Sequence, residues 1–263
     1  MMTVLAAAAA YLAGAYHLAR MAWAPEYARG PGLLMGTIGA LIHLAVHADT
    51  WRLSGGPDLS FLSALSWVAL GMAALTLLAS HRQRLEALGV VVFPLAALAL
   101  LGHSLDSAGT TSTERLDWGI ELHALLALLA YATLALAALL AIMLWLQERA
   151  LRQRRFTTAL RALPPLTQLE MLLFRTLAAA FAVLTLALIT GLTFVHDLLA
   201  QHLAHKTVLS LLSWLVLAGL LLGRWRYGWR GRRAVKLTLT AMVLLALAFF
   251  GSKFVLEILL RRT

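Results

Sequence analysis

The chain contains no cysteine and few charged residues, and each shortage excludes several classes of protein. Without cysteine it can hold no disulfide, thiolate haem ligand, cysteine-bound iron–sulfur cluster or thiol redox centre. Only 13% of its 263 residues are charged while 61% are hydrophobic, whereas about a quarter of the residues in a soluble domain are charged. One soluble core cannot bury so large an apolar excess, so most of the helices are expected to face lipid.

Signatures of hydrolases, secreted proteins and nucleic-acid-binding proteins are also missing. There is no HExxH motif, and no nucleophile elbow accompanies Ser104 and Asp106. The segment from Met1 to Arg20 lacks the basic start of a signal peptide and predicts a first membrane helix instead. The net charge of +10 does not indicate a nucleic-acid partner, because the basic residues lie in short segments between apolar spans.

About eight apolar stretches approach the length of a membrane-spanning helix, which is about 20 residues. They cover residues 3–22, 32–50, 61–80, 88–105, 119–146, 171–195, 207–223 and 235–258. The fifth helix is expected to continue into water until Pro164-Pro165 ends it. The predicted fold class is an all-α integral membrane protein, a helix bundle that forms a single domain over residues 1–263.

The basic residues orient this predicted bundle. Most of the 22 lysines and arginines follow the first, third, fifth and seventh spans. The positive-inside rule makes that side cytoplasmic, and an even number of spans then places both termini outside. The basic stretch GRWRYGWRGRRAVK after the seventh span is expected to anchor the chain to anionic lipid.

With this orientation, most of the nine histidines lie on the outer side. Imidazole is a common ligand of metals and of haem iron, so the sequence predicts such a site there. The outer histidines are His43, His47, His103, His123, His196, His202 and His205. His43 and His47 share one helix face, about 6 Å apart. That spacing suits a shared metal ion or a relay, but not both axial ligands of one haem.

Other outer residues extend this predicted site. His103 closes the fourth span and His123 opens the fifth, so the two could face each other over a cavity. Asp117 and Glu121 are candidates to orient them. Each of these histidines could alternatively be a solvated residue of the membrane interface, and Trp118 could belong to an aromatic belt or flank a porphyrin.

The residues before and within the seventh and eighth spans are weaker candidates. His205 and Lys206 could bind haem propionates or another anionic group. His196 and His202 lie in a predicted loop, where histidines are often solvated. Lys253 and Glu257 could pair across one helix turn.

From about Leu116 onward, the chain resembles the cytochrome c assembly superfamily, which includes CcsA-, ResC-, CcmC- and HemX-like haem-handling membrane proteins. The segments that carry the resemblance are ELHALLALLAYATLALAALLAIM, LPPLTQLEMLLFRTLAAAFAVLTLALITG, HKTVLSLLSWLVLAGLLLGRWRYGWRGRRAVKLT and FFGSKFVLEILL. Over nearly its whole length the chain is similar to the YpjD group of bacterial inner-membrane proteins. The resemblance implies a multi-pass inner-membrane protein that binds haem, as haem b.

In this superfamily a histidine that opens the corresponding span is an outer-face haem ligand, and His123 has that place. The resemblance therefore implies His123 as a haem-iron ligand, with His47, His43, His103 or His205 supplying the partner. The superfamily's tryptophan-rich, haem-presenting segment is replaced here by FVHDLLAQHLAHKTVLS, and its second outer histidine by GSKFVLEIL. These departures argue against cytochrome c synthase activity and against an enzyme.

The expected partners are the lipid bilayer, haem and another membrane protein. An alternative function is a transporter or transporter accessory for an ion or small solute, with His43 and His47 as its relay. A regulatory scaffold with a degenerate site is a further alternative.

Overall fold

The computed structural model of the chain describes residues 1–21, 28–82, 86–106, 117–154, 164–194 and 201–251. All regular secondary structure within these ranges is helical, as predicted. Eight helices there are long and apolar enough to cross a membrane, which confirms the predicted spans. They are α1 Met2–Arg20, α2 Gly30–Ser54, α3 Phe61–Arg82, α4 Glu86–Asp106, α5 Trp118–Arg152, α6 Leu166–Phe194, α7 Gln201–Tyr227 and α8 Arg232–Ala246, which continues as a π-helical turn over Leu247–Gly251.

The helix ends differ from the sequence prediction in three places. Helix α6 begins directly after Pro164-Pro165, since proline suits the start of a helix. Helix α7 begins at Gln201 and thus includes polar residues that were expected to form a loop. The prediction that α5 continues to Pro164 is wrong, because α5 ends at Arg152 and Arg154 adopts a left-handed φ of 53°. Residues 155–163 lie outside the described residues.

The chain divides into two compact units. The first comprises Met1–Leu116 with Ala150–Pro165, and the second comprises Asp117–Arg149 with Leu166–Thr263. The single membrane domain and the outer placement of both termini stay predictions.

In the first unit, α1 packs against α2 and α4, and α3 packs against α4 and α2. Glycines bring α1 and α2 together. A methyl group on Gly14 would lie 3.0 Å from both the Gly32 carbonyl oxygen and the Gly36 nitrogen. The two backbones therefore touch, which is the usual route to tight helix pairing when lipid removes the hydrophobic driving force.

In the second unit, α7 packs against α6 and α8. Polar side chains link the helices. The Trp214 indole Nε1 of α7 donates to the Thr185 hydroxyl of α6 at 2.8 Å, and the Ser213 hydroxyl donates to the Ala241 carbonyl of α8 at 2.8 Å. The Tyr131 hydroxyl of α5 donates to the Leu245 carbonyl. Each of these three donors thus has a partner on another helix, as an apolar environment requires.

Candidate functional site

The first unit contains a buried group of polar and aromatic side chains, which we call the histidine cluster. Its members come from all four helices of the unit: Tyr11, His43, His47, Ser66, Trp67 and His103. The three histidines are between 0% and 2% exposed. The structure thus brings together His43, His47 and His103, three of the predicted site residues, inside the helix packing rather than at a surface.

A continuous chain of hydrogen bonds runs through the histidine cluster. The Tyr11 hydroxyl lies 3.3 Å from His43 Nδ1, and His43 Nε2 lies 2.8 Å from the Ser66 hydroxyl. His47 Nε2 lies 3.0 Å from the same hydroxyl. Since a serine hydroxyl has one hydrogen, Ser66 donates to one imidazole and accepts from the other. The two neutral rings therefore carry their protons on opposite nitrogens.

Three aromatic rings pack closely against the His47 ring. The Trp67 ring lies 4.3 Å away and tilts by 21°, and the His103 ring lies 4.8 Å away at 31°. The His43 ring is stacked on it as well, with centroids 5.2 Å apart. In the part of the chain that the structure describes, no group of three or more potential ligands is arranged to hold a metal ion. A metal site on His43 and His47 therefore gains no support from this geometry.

The second unit holds His123, one turn into α5, against the last turns of α6. The His123 Nδ1 lies 2.8 Å from the Ala187 carbonyl oxygen and 3.4 Å from the Thr190 hydroxyl. A carbonyl oxygen only accepts, so Nδ1 carries the proton and Nε2 carries the lone pair. No described residue forms a hydrogen bond with Nε2. This is the arrangement in which an imidazole is oriented for ligation by its other nitrogen.

Glycine at position 191 allows His123 to lie flat against α6. A methyl group there would be 2.9 Å from His123 Cε1 and 3.2 Å from Nδ1, both closer than ordinary contact distance. The structure gives the orienting role to the Ala187 carbonyl rather than to Asp117 or Glu121. Glu121 lies only two residues before His123, and residues two apart on a helix do not face each other.

An aromatic pair lies beyond His123 at the start of α5. The Trp118 ring meets the Phe194 ring of α6 edge to face, with centroids 4.9 Å apart, and Trp118 is 65% exposed. Phe194 packs over Gly119, one helix turn before His123. The predicted position of Trp118 near the His123 site is consistent with this contact between α5 and α6.

His205 and Lys206 lie in the first turns of α7. His205 is exposed, whereas the Lys206 ammonium lies 5.8 Å from the centre of the Phe249 ring in the π-helical turn. Adjacent residues on a helix do not face each other. A shared site for haem propionates on His205 and Lys206 stays a prediction.

Several predicted residues lie outside the described residues or have no described side chain. These are His196, His202, Lys253 and Glu257. The prediction that His103 and His123 face each other across a cavity stays a prediction.

Sequence reasoning missed most partners of the histidines. Tyr11 and Ser66 are polar groups within apolar spans, and that property could have marked them as partners of a buried histidine. Ala187 acts through its backbone carbonyl, which leaves no trace in the sequence. Thr190 could have been identified as a partner of His123 only if the way in which α6 packs against α5 had been known.

Comparisons with known proteins place this chain in a family. The profile of the family described as Cytochrome C assembly protein matches residues 30–260. The chain is 32% identical over 244 residues to Inner membrane protein YpjD of Escherichia coli (strain K12), covering 87% of this chain and 92% of that protein.

Two other relatives match most or about half of the chain. The chain is 24% identical over 279 residues to Cytochrome c biogenesis protein CcsA of Microcystis aeruginosa, covering 84% of each chain. It is 43% identical over 143 residues to a 28.8 kDa protein of Azospirillum brasilense, covering 54% of this chain and 53% of that protein. No solved structure gives a significant match. Together with the eight spans, these matches establish a multi-pass inner-membrane protein that belongs to the cytochrome C assembly protein family.

Proposed function

We propose that this protein binds and handles haem at the outer face of the inner membrane, with His123 Nε2 as an axial ligand of the iron. The observation that carries the proposal is the hydrogen bond from His123 Nδ1 to the Ala187 carbonyl, 2.8 Å long. It fixes the tautomer whose Nε2 lone pair is available, and it holds the ring in place. Family membership and the relatives named for cytochrome c biogenesis support haem as the ligand.

The histidine cluster is a poor source of this iron ligand. The Nε2 atoms of His43 and His47 are already hydrogen-bonded to Ser66, and the rings of Trp67 and His103 pack closely against His47. Ligation by His47 would require breaking these contacts. The exposed His205, which belongs to the same compact unit as His123, is a better candidate for a second ligand.

A haem titration of the purified protein in detergent tests this proposal. The native protein should give a Soret band shifted from that of free haem, and His123→Ala should lose or shift that band. Added imidazole should restore the band in His123→Gly by occupying the space of the lost ring. His17→Ala is a suitable control because His17 lies in the other unit and outside the histidine cluster. A His123→Ala spectrum identical to that of the native protein would refute the proposal.

A second candidate function is proton or ion passage through the first unit, and the hydrogen-bonded chain of the histidine cluster favours it. Four groups from three helices are linked in a row from Tyr11 to His47, all buried in apolar surroundings. Ionisable groups within spans commonly form such relays.

Ser66→Ala tests the second candidate because it removes the one hydroxyl that joins His43 to His47. Ser63→Ala is a matched control, since Ser63 lies one turn earlier on α3, is equally buried and has no hydrogen-bond partner among the described residues. In vesicles with an internal pH dye, proton flux should fall in Ser66→Ala and persist in Ser63→Ala. Equal flux in both variants and in the native protein would eliminate the relay.

A further inference from the structure

The second unit contains a groove between the end of α5 and the start of α8, far along α5 from His123. Its volume is about 280 Å³. It is lined by four apolar side chains and by two exposed cations, which form its charged rim: Ile142, Trp145, Val235, Leu239, Arg232 and Lys236. Neither the haem proposal nor the relay uses any of these residues.

The basic residues from the end of α7 to the first turns of α8 include some that have an anionic partner and some that have none among the described residues. Arg224 and Arg230 both bond to one carboxylate, Glu170, at 2.7 and 3.0 Å. Arg232 and Lys236 are exposed, and within the described ranges neither forms a hydrogen bond or an ion pair. The groove therefore has two positive charges at its rim that lack an anion.

The order of residues along the two helices separates the polar end of the groove from its apolar end. On α8, Arg232 and Lys236 are one turn apart, and Leu239 lies about one turn further along the helix. On α5, Trp145 lies beneath the Arg149 guanidinium, which is 5.5 Å from the ring centre. Tryptophan and arginine at this position are typical of a membrane interface. The apolar side chains then extend from the interface toward the expected membrane interior.

We propose that this groove binds one anionic phospholipid, with its phosphate on Arg232 and Lys236 and an acyl chain along Ile142, Val235 and Leu239. Arginine and lysine are the side chains that bind phosphate best, and basic pockets between membrane helices select anionic headgroups. A zwitterionic lipid brings its own cation to the rim and gains less from two unpaired positive charges. The site lies on the side of the membrane expected to be cytoplasmic.

Quenching of Trp145 fluorescence by brominated lipid tests the proposal, because Trp145 lines the groove. The full chain in detergent is titrated with phosphatidylglycerol or phosphatidylcholine that carries bromine on its acyl chains. The quenching of Trp145 itself is the difference between the quenching of the native chain and that of Trp145→Phe. For the native chain, phosphatidylglycerol should quench this part at a concentration about 30-fold lower than phosphatidylcholine at low salt.

The double variant Arg232→Gln/Lys236→Gln should lose most of this preference. The double variant Arg226→Gln/Arg233→Gln removes the same charge from exposed neighbours that do not line the groove, and should keep it. Equal quenching by the two lipids overturns the proposal. An equal loss in both double variants also overturns it, because that result indicates diffuse attraction to the basic surface rather than a site.

Discussion

Substitution of Gly191 by alanine perturbs the His123 site without touching its imidazole. The added methyl carbon would lie 2.9 Å from His123 Cε1. Two carbons in contact need about 3.5–4.0 Å, so the ring must retreat from α6 by roughly 1 Å. The hydrogen bond from Nδ1 to the Ala187 carbonyl, now 2.8 Å long, then exceeds the length at which it stabilises the ring.

Two consequences of this displacement can be measured. Loss of a partner that orients a metal-binding histidine lowers metal affinity about 10- to 100-fold, and we expect haem affinity to fall by that factor. The free energy of unfolding should change little, since the lost hydrogen bond costs about 1 kcal/mol and alanine gains about 1 kcal/mol in helix propensity over glycine.

Gly219→Ala is the matched control, because a methyl group at Gly219 meets nothing within 4 Å. It should gain stability from helix propensity and keep the haem affinity of the native protein. Both variants are compared by Soret titration and by thermal unfolding in the same detergent. If Gly191→Ala binds haem as tightly as Gly219→Ala, the Nδ1 hydrogen bond does not govern ligation and the reasoning fails.

Two further predictions concern stability. Ser66→Ala should lower the free energy of unfolding by about 2–3 kcal/mol, because two buried imidazole nitrogens lose their partner. The control Ser63→Ala should be nearly neutral, and equal free energies for the two variants in denaturant unfolding would contradict this prediction. Glu170→Gln should lower the free energy of unfolding by about 1–3 kcal/mol, since it leaves Arg224 and Arg230 without their shared anion in a partly buried site. An unchanged thermal unfolding temperature would show that solvent already screens these two ion pairs.

The existence of the helices could be predicted from the sequence, but their ends could not. The thickness of the hydrocarbon layer fixes the length of a membrane-spanning helix, so length and hydropathy suffice to find such a helix in the sequence. A helix end depends on local backbone geometry. Pro164-Pro165 sets the start of α6, and the left-handed conformation of Arg154 stops α5 well before the expected point. A non-glycine residue in that conformation has no reliable sequence pattern.

The place of His123 in the fold was predictable, but its contacts were not. The place of His123 at the start of α5 follows from the span pattern and the resemblance. Its hydrogen-bond partner, the Ala187 carbonyl, is 64 residues away and belongs to the backbone, so the type of residue at position 187 does not indicate this contact. For His43 and His47, the shared helix face was predicted, but their burial and their hydrogen bonds to Ser66 were not. Only the packing of α1 to α4 determines what those imidazoles contact.

The histidines predicted to lie on the outer side belong to two chemically different arrangements, one in each compact unit. In the histidine cluster, both ring nitrogens of His43 have a hydrogen-bond partner, Tyr11 and Ser66. Its N–H proton and its nitrogen lone pair are therefore both engaged in hydrogen bonds within the protein. His123 has partners for Nδ1 alone within the described residues. His123 is half-buried, and its Nε2 is not among the fully buried polar atoms that lack a partner. Its lone pair is therefore accessible to a ligand, and this is why the haem proposal rests on His123 rather than on the larger group of histidines.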